Sequence, residues 1–112
     1  MNKDYKGAAE KFKEAVSLNP NLGEVYGMLG KTQEKLGQYE DAVVNLTKSL
    51  EITTNDYVNR LTHKSLARAY IGLGKHEEAR KAIDTYKEMC IAQNKLTPQT
   101  EKIIRELYDS LK

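Results

Sequence analysis

The chain has 112 residues, 39% hydrophobic and 30% charged, enough for one domain core and too few for two independent ones. Its 18 Lys and Arg against 16 Asp and Glu leave a net charge of +2, with both signs interspersed along every segment, which argues against a nucleic-acid-binding tail or a polyacidic protein. No stretch approaches the roughly 18 apolar residues that span a bilayer, and MNKDYKG lacks the apolar run of a secretory signal, so no membrane association is expected and a cytoplasmic location is the default, which the single Cys90 fits.

A first helix is predicted from about Asp4 to Leu18, with Asp4 as N-cap and Asn19-Pro20 ending it. Tyr5, Ala8, Ala9, Phe12, Ala15 and Val16 share an arc of roughly 120°, and Lys6, Glu10, Lys13, Glu14 and Ser17 cover most of the remainder. Tyr26, Leu29, Gln33 and Leu36 then lie on one side of a second helix, Gly37-Gln38 break the run, and Tyr39, Ala42, Val43, Leu46 and Leu50 lie on one side of a third. The segment ITTNDYVNR brings in a longer fourth helix, with Thr54 or Asn55 as N-cap and Tyr57, Val58 and Leu61 on its inner face. Gly74-Lys75 turn the chain into a fifth helix, from about His76 to Ala92, carrying Ala79, Ala82, Ile83, Tyr86, Met89 and Cys90. In the tail Thr97 is the N-cap, Pro98 takes the first helical position where its missing N–H costs nothing, and Glu101 sits in the first turn. Ile103, Ile104, Leu107, Tyr108 and Leu111 fill an arc of about 140° opposite a polar back.

The chain repeats itself. Moving back 34 residues from Tyr39, Ala42, Leu46 and Leu50 lands on Tyr5, Ala8, Phe12 and Val16; moving forward 37 from Leu29, Leu36, Gly37, Glu40, Ala42 and Leu46 lands on Leu66, Leu73, Gly74, Glu77, Ala79 and Ile83. Each helical hairpin has two apolar stripes and needs stacked neighbours to bury both. The pattern of Tyr26, Leu29, Gly30, Ala42 and Leu46, echoed by Ala8, Phe12, Ala15 and Pro20 and by His63, Leu66, Ala67, Tyr70, Ala79 and Ile83, resembles the tetratricopeptide repeat. That resemblance implies an all-α, right-handed α-α superhelix of about six helices in a single domain: a half repeat over 4–22, repeats over 23–56 and 57–92, and a capping helix over 97–112. Gln33 stands where the family usually has Tyr, Thr54 where it has Pro, and Tyr86 where it prefers a small residue. The half repeat is either the remnant of a longer array or a natural N-terminal cap.

Catalytic and metal chemistries find no footing. Gly30-Lys31-Thr32 resembles the end of a phosphate-binding loop, but Val25 occupies the position of the earlier glycine and no strand precedes it. His63 and His76 lack converging ligands, Cys90 has no sequence-near His or basic cluster, and Glu77 and Glu78 belong to a solvated face. Neither an enzyme nor a cofactor is expected.

The family resemblance directs attention to the concave surface, lined by the first helix of each repeat: Glu24, Gly27, Met28, Lys31, Glu34 and Lys35, then Leu61, Lys64, Ser65, Arg68, Ile71 and Gly72. Of these, Gly27, Met28, Lys31, Lys35, Lys64 and Arg68 are the expected peptide-binding residues, the cations for a carboxylate and the glycines Gly27 and Gly72 for room beside them. The expected function is a non-catalytic scaffold that binds an acidic or carboxylate-terminated segment of a protein partner, the chain being a monomer or a weak homo-oligomer through its terminal helices. The alternative is a regulatory or assembly module of a larger protein, for which Tyr86, Thr97-Pro98-Gln99-Thr100 and Leu107-Tyr108 resemble elements of some bacterial transcription regulators. The clamp for chaperone C-termini is not carried over, because Met28 and Ser65 stand where its Asn residues belong.

Overall fold

The structure, a computed structural model, describes residues 4–112; the first three residues of MNKDYKG lie outside them. The described residues form six helices: α1 Tyr5–Leu18, α2 Gly23–Lys35, α3 Tyr39–Ile52, α4 Asp56–Gly72, α5 His76–Ala92 and α6 Pro98–Asp109. The architecture is all-α, as expected, and its helices stack as successive hairpins, α2 on α3 and α4 on α5, with α1 against α2 and α6 against α5.

Local chemistry sets the helix ends. The Asp4 carboxylate accepts from the Gly7 N–H at 2.8 Å, and the Asn55 side chain accepts from Val58 at 3.1 Å, which resolves the choice between Thr54 and Asn55. Gly37 and Gly74 stand at φ 78° and 73°, backbone angles that suit glycine. Each closes its helix with a paired bond: Gln38 N–H to the Gln33 carbonyl at 2.9 Å and Gly37 N–H to Glu34 at 3.1 Å, then Lys75 to Tyr70 at 2.9 Å and Gly74 to Ile71 at 3.0 Å. Asn94, at φ 56°, ends α5 in the same way through Lys95 N–H to Cys90. At α6 the Thr97 and Thr100 hydroxyls each accept from the other's backbone N–H, a reciprocal cap in which Thr replaces the usual Glu.

Small and large residues alternate in the core. Ala42, Ala67, Ala69 and Ala79 let the helices approach, while Leu46, Leu66, Ile83 and Tyr86 fill the space between them. α6 adds Ile104 and Leu107 to that cluster, Leu111 just beyond its end adds a third, and the Tyr108 hydroxyl donates to the Asp84 carboxylate on α5. Gln33, in place of the family's Tyr, is buried and accepts from the Asn45 amide at 2.7 Å, so a polar pair joins α2 to α3 there. Gly30 meets Leu46 so closely that a Cβ would stand 2.5 Å from the leucine Cγ. α1 is the exception to this packing, with Ala9 its one buried residue and Tyr5, Ala8, Phe12, Ala15 and Val16 only half-buried.

Candidate functional site

Two adjoining cavities open beside α2. The first, about 290 Å³, lies between α2 and the start of α4 and is lined by Gly27, Met28 and Lys31 facing Tyr57, Val58 and Leu61, with Glu24, Thr62 and Ser65 at its edges. The second, about 540 Å³, is walled by Tyr5, Ala8 and Phe12 of α1, Met28, Lys31, Thr32 and Lys35 of α2, and Lys64 and Arg68 of α4, with the helix-capping Asp4 its one carboxylate. Met28 and Lys31 border both cavities.

The pairing of helices explains this arrangement. Met28, Lys31 and Lys35 recur at spacings of 3 and 4 on α2, and Lys64 and Arg68 at 4 on α4, so each set forms a row on one helix face. Because α2 and α4 are neighbours in the stack, the two rows border one groove. Burial lowers the Lys64 pKa, and the charges of Arg68, Lys31, Lys35 and Arg60 lower it further, so these cations sense one another. Among the described residues Lys31, Lys64 and Arg68 have no carboxylate within 4.0 Å, whereas Lys35 reaches Glu34 at 4.0 Å. Lys64 also stands 5.9 Å from the centroid of the Tyr86 ring, a contact that positions its ammonium.

Five of the six expected residues, Met28, Lys31, Lys35, Lys64 and Arg68, border the larger cavity together. The two glycines have different surroundings. A Cβ at Gly27 would meet the Ser49 hydroxyl at 2.9 Å, so the missing side chain admits α3, and Gly27 also lines the smaller cavity. At Gly72 it would meet the Tyr39 ring, and Gly72 lines a separate cavity with Glu34, Ile71 and Ile103. Tyr57, Val58 and Leu61 face the groove and not the core, with Tyr57 61% exposed.

Tyr5 and Phe12, on the apolar arc of the first helix, form a wall of the larger cavity. Among the described residues no helix precedes α1 to cover that stripe. Cys90 is fully buried, and the described residues hold no group of three or more His, Cys, Asp or Glu side chains placed to bind a metal ion. No helix among them is long and apolar enough to cross a membrane.

Stacked helical hairpins with a residue-by-residue internal repeat define a helical-repeat protein. A tetratricopeptide repeat profile matches residues 1–62 and a second one residues 65–90; the chain belongs to the tetratricopeptide repeat family. Such repeats are in general protein–protein interaction modules. Searches of curated proteins and of solved structures returned no match.

Proposed function

We propose that the chain is a non-catalytic scaffold whose concave groove holds an acidic or carboxylate-terminated segment of a partner protein. The observation that carries this reading is the convergence of Lys31, Lys35, Lys64 and Arg68 on one cavity, three of them without a carboxylate among the described residues. Burial first, and then the charges of Arg68, Lys31 and Lys35, disfavour the charged form of Lys64, and a bound carboxylate offsets both. Arg68 offers a carboxylate two parallel hydrogen bonds, and Lys31 and Lys64 supply point charges. The smaller cavity, floored by Met28, Val58 and Leu61, takes an apolar side chain of the same ligand, with Lys31 at the border between the two subsites.

A peptide array tests this. Peptides rich in Asp and Glu, with and without a neighbouring Leu or Ile and with free or amidated C-termini, are probed at low and high salt. Acidic members carrying an apolar residue should bind, and their binding should weaken with salt, because the cations are partly exposed. Preference for basic peptides, or indifference to salt, contradicts the proposal.

A further inference from the structure

The internal repeat supplies a template for what the larger cavity receives. A shift of 34 residues pairs Tyr5, Ala8 and Phe12 on α1 with Tyr39, Ala42 and Leu46 on α3. On α3 that face is covered by α2, whose Gly30 abuts Leu46, and Ala42 and Leu46 are fully buried. On α1 the corresponding face is half-buried and forms one wall of the 540 Å³ cavity. Among the described residues nothing takes the place over α1 that α2 takes over α3.

Two features narrow the occupant. An extended peptide laid on the apolar wall of Tyr5, Ala8 and Phe12 would turn backbone N–H and C=O groups toward carbon, whereas a helix satisfies its own. The facing row of Lys31, Lys35, Lys64 and Arg68 calls for carboxylates on the flank turned toward α2 and α4.

The geometry points to an amphipathic α-helix of a partner protein as the ligand, with a small residue crossing Phe12, an apolar stripe on α1 and Asp or Glu along the flank facing the four cations. It completes the first repeat as α2 completes the second. This inference rests on the acidic-partner reading of the same groove and adds the ligand's conformation and its seat on α1.

The test uses two labelled peptides as long as α2, 13 residues, of equal charge. One places Ala and Leu on a single helical face with Glu beside it; the other has the same residues scrambled around a central Pro that forbids a helix. The helical peptide should bind roughly tenfold more tightly, because less ordering is needed, and gain helicity in circular dichroism when the chain is added. Ala8→Glu, which sets a like charge on the α1 wall, should remove that preference. If the two peptides bind equally, the helix is overturned while the acidic-segment reading stands. If neither binds, the helix is overturned too, and the peptide array decides the broader reading on its own. Concentration-dependent dimers in sedimentation that Ala8→Glu abolishes would replace the partner helix with a second copy of the chain. Should Ala8→Glu fail to fold, the comparison of the two peptides on the unaltered chain still decides.

Discussion

Gly30 and Leu46 mark a close crossing of α2 over α3: a Cβ added to Gly30 would lie 2.5 Å from Leu46 Cγ and 3.0 Å from the Leu46 backbone nitrogen. Leu46→Ala should cost roughly 2–5 kcal/mol as a core cavity, and Gly30→Ala about 1–3 kcal/mol as overpacking, reduced by the better helix propensity of alanine. The double variant should lose less than the sum, because truncating Leu46 frees the space the new methyl needs. The backbone nitrogen remains, so rescue is partial. Urea titration of the three variants checks it, and strict additivity would mean that the two residues are not in contact.

The tail contributes Ile104 and Leu107 of α6, Leu111 just beyond it, and a hydrogen bond from Tyr108 to Asp84. Deleting Thr97 to Lys112 should cost at least about 4 kcal/mol in lost apolar burial and expose Ile83 and Tyr86 to self-association. Thermal melts and sedimentation of the truncated chain report both effects. An unchanged melting temperature in a monomeric product would make the tail a separate element.

His63 carries a pH dependence. Burial lowers its pKa below the ordinary 6.5, so the unfolded chain takes up a proton that the folded chain resists. Its contribution to stability is therefore complete above pH 6.5 and is lost as pH falls through the folded value. Urea midpoints near about pH 7.5 and about pH 5.5 should differ more in the unaltered chain than in His63→Gln. Equal differences would mean that other groups carry the whole acid sensitivity.

Much of this was legible beforehand because it is written in local chemistry. Apolar spacing, Asp4, Gly37, Gly74, Thr97 and Pro98 marked the helices and their ends, and the 34- and 37-residue offsets marked the stacking. Gly27 and Gly72 were opaque for a physical reason, since a missing side chain looks the same in sequence whether a helix or a ligand fills the space. Tyr5 and Phe12 were opaque because an apolar stripe becomes core or groove according to its partner. The Gln33–Asn45 pair joins two helices across a turn, and no local pattern announces it.

Cys90, fully buried between Tyr86 and the end of α5, should react with a thiol reagent only as fast as the helices open. Labelling followed by mass spectrometry should therefore accelerate with urea in step with unfolding. Rapid complete labelling in native buffer would show that α5 is not packed as described.

The measurement that bears most directly on the groove compares two charge reversals against one acidic peptide taken from the array. Lys64→Glu with Arg68→Glu inverts the cavity wall, whereas Lys11→Glu with Lys13→Glu inverts exposed positions on α1 that border neither cavity beside α2. Titration calorimetry should show the first pair weakening binding by roughly 100-fold and the second by little more than long-range screening allows, with helicity unchanged in both. Equal losses from the two pairs would contradict a groove built on Lys64 and Arg68.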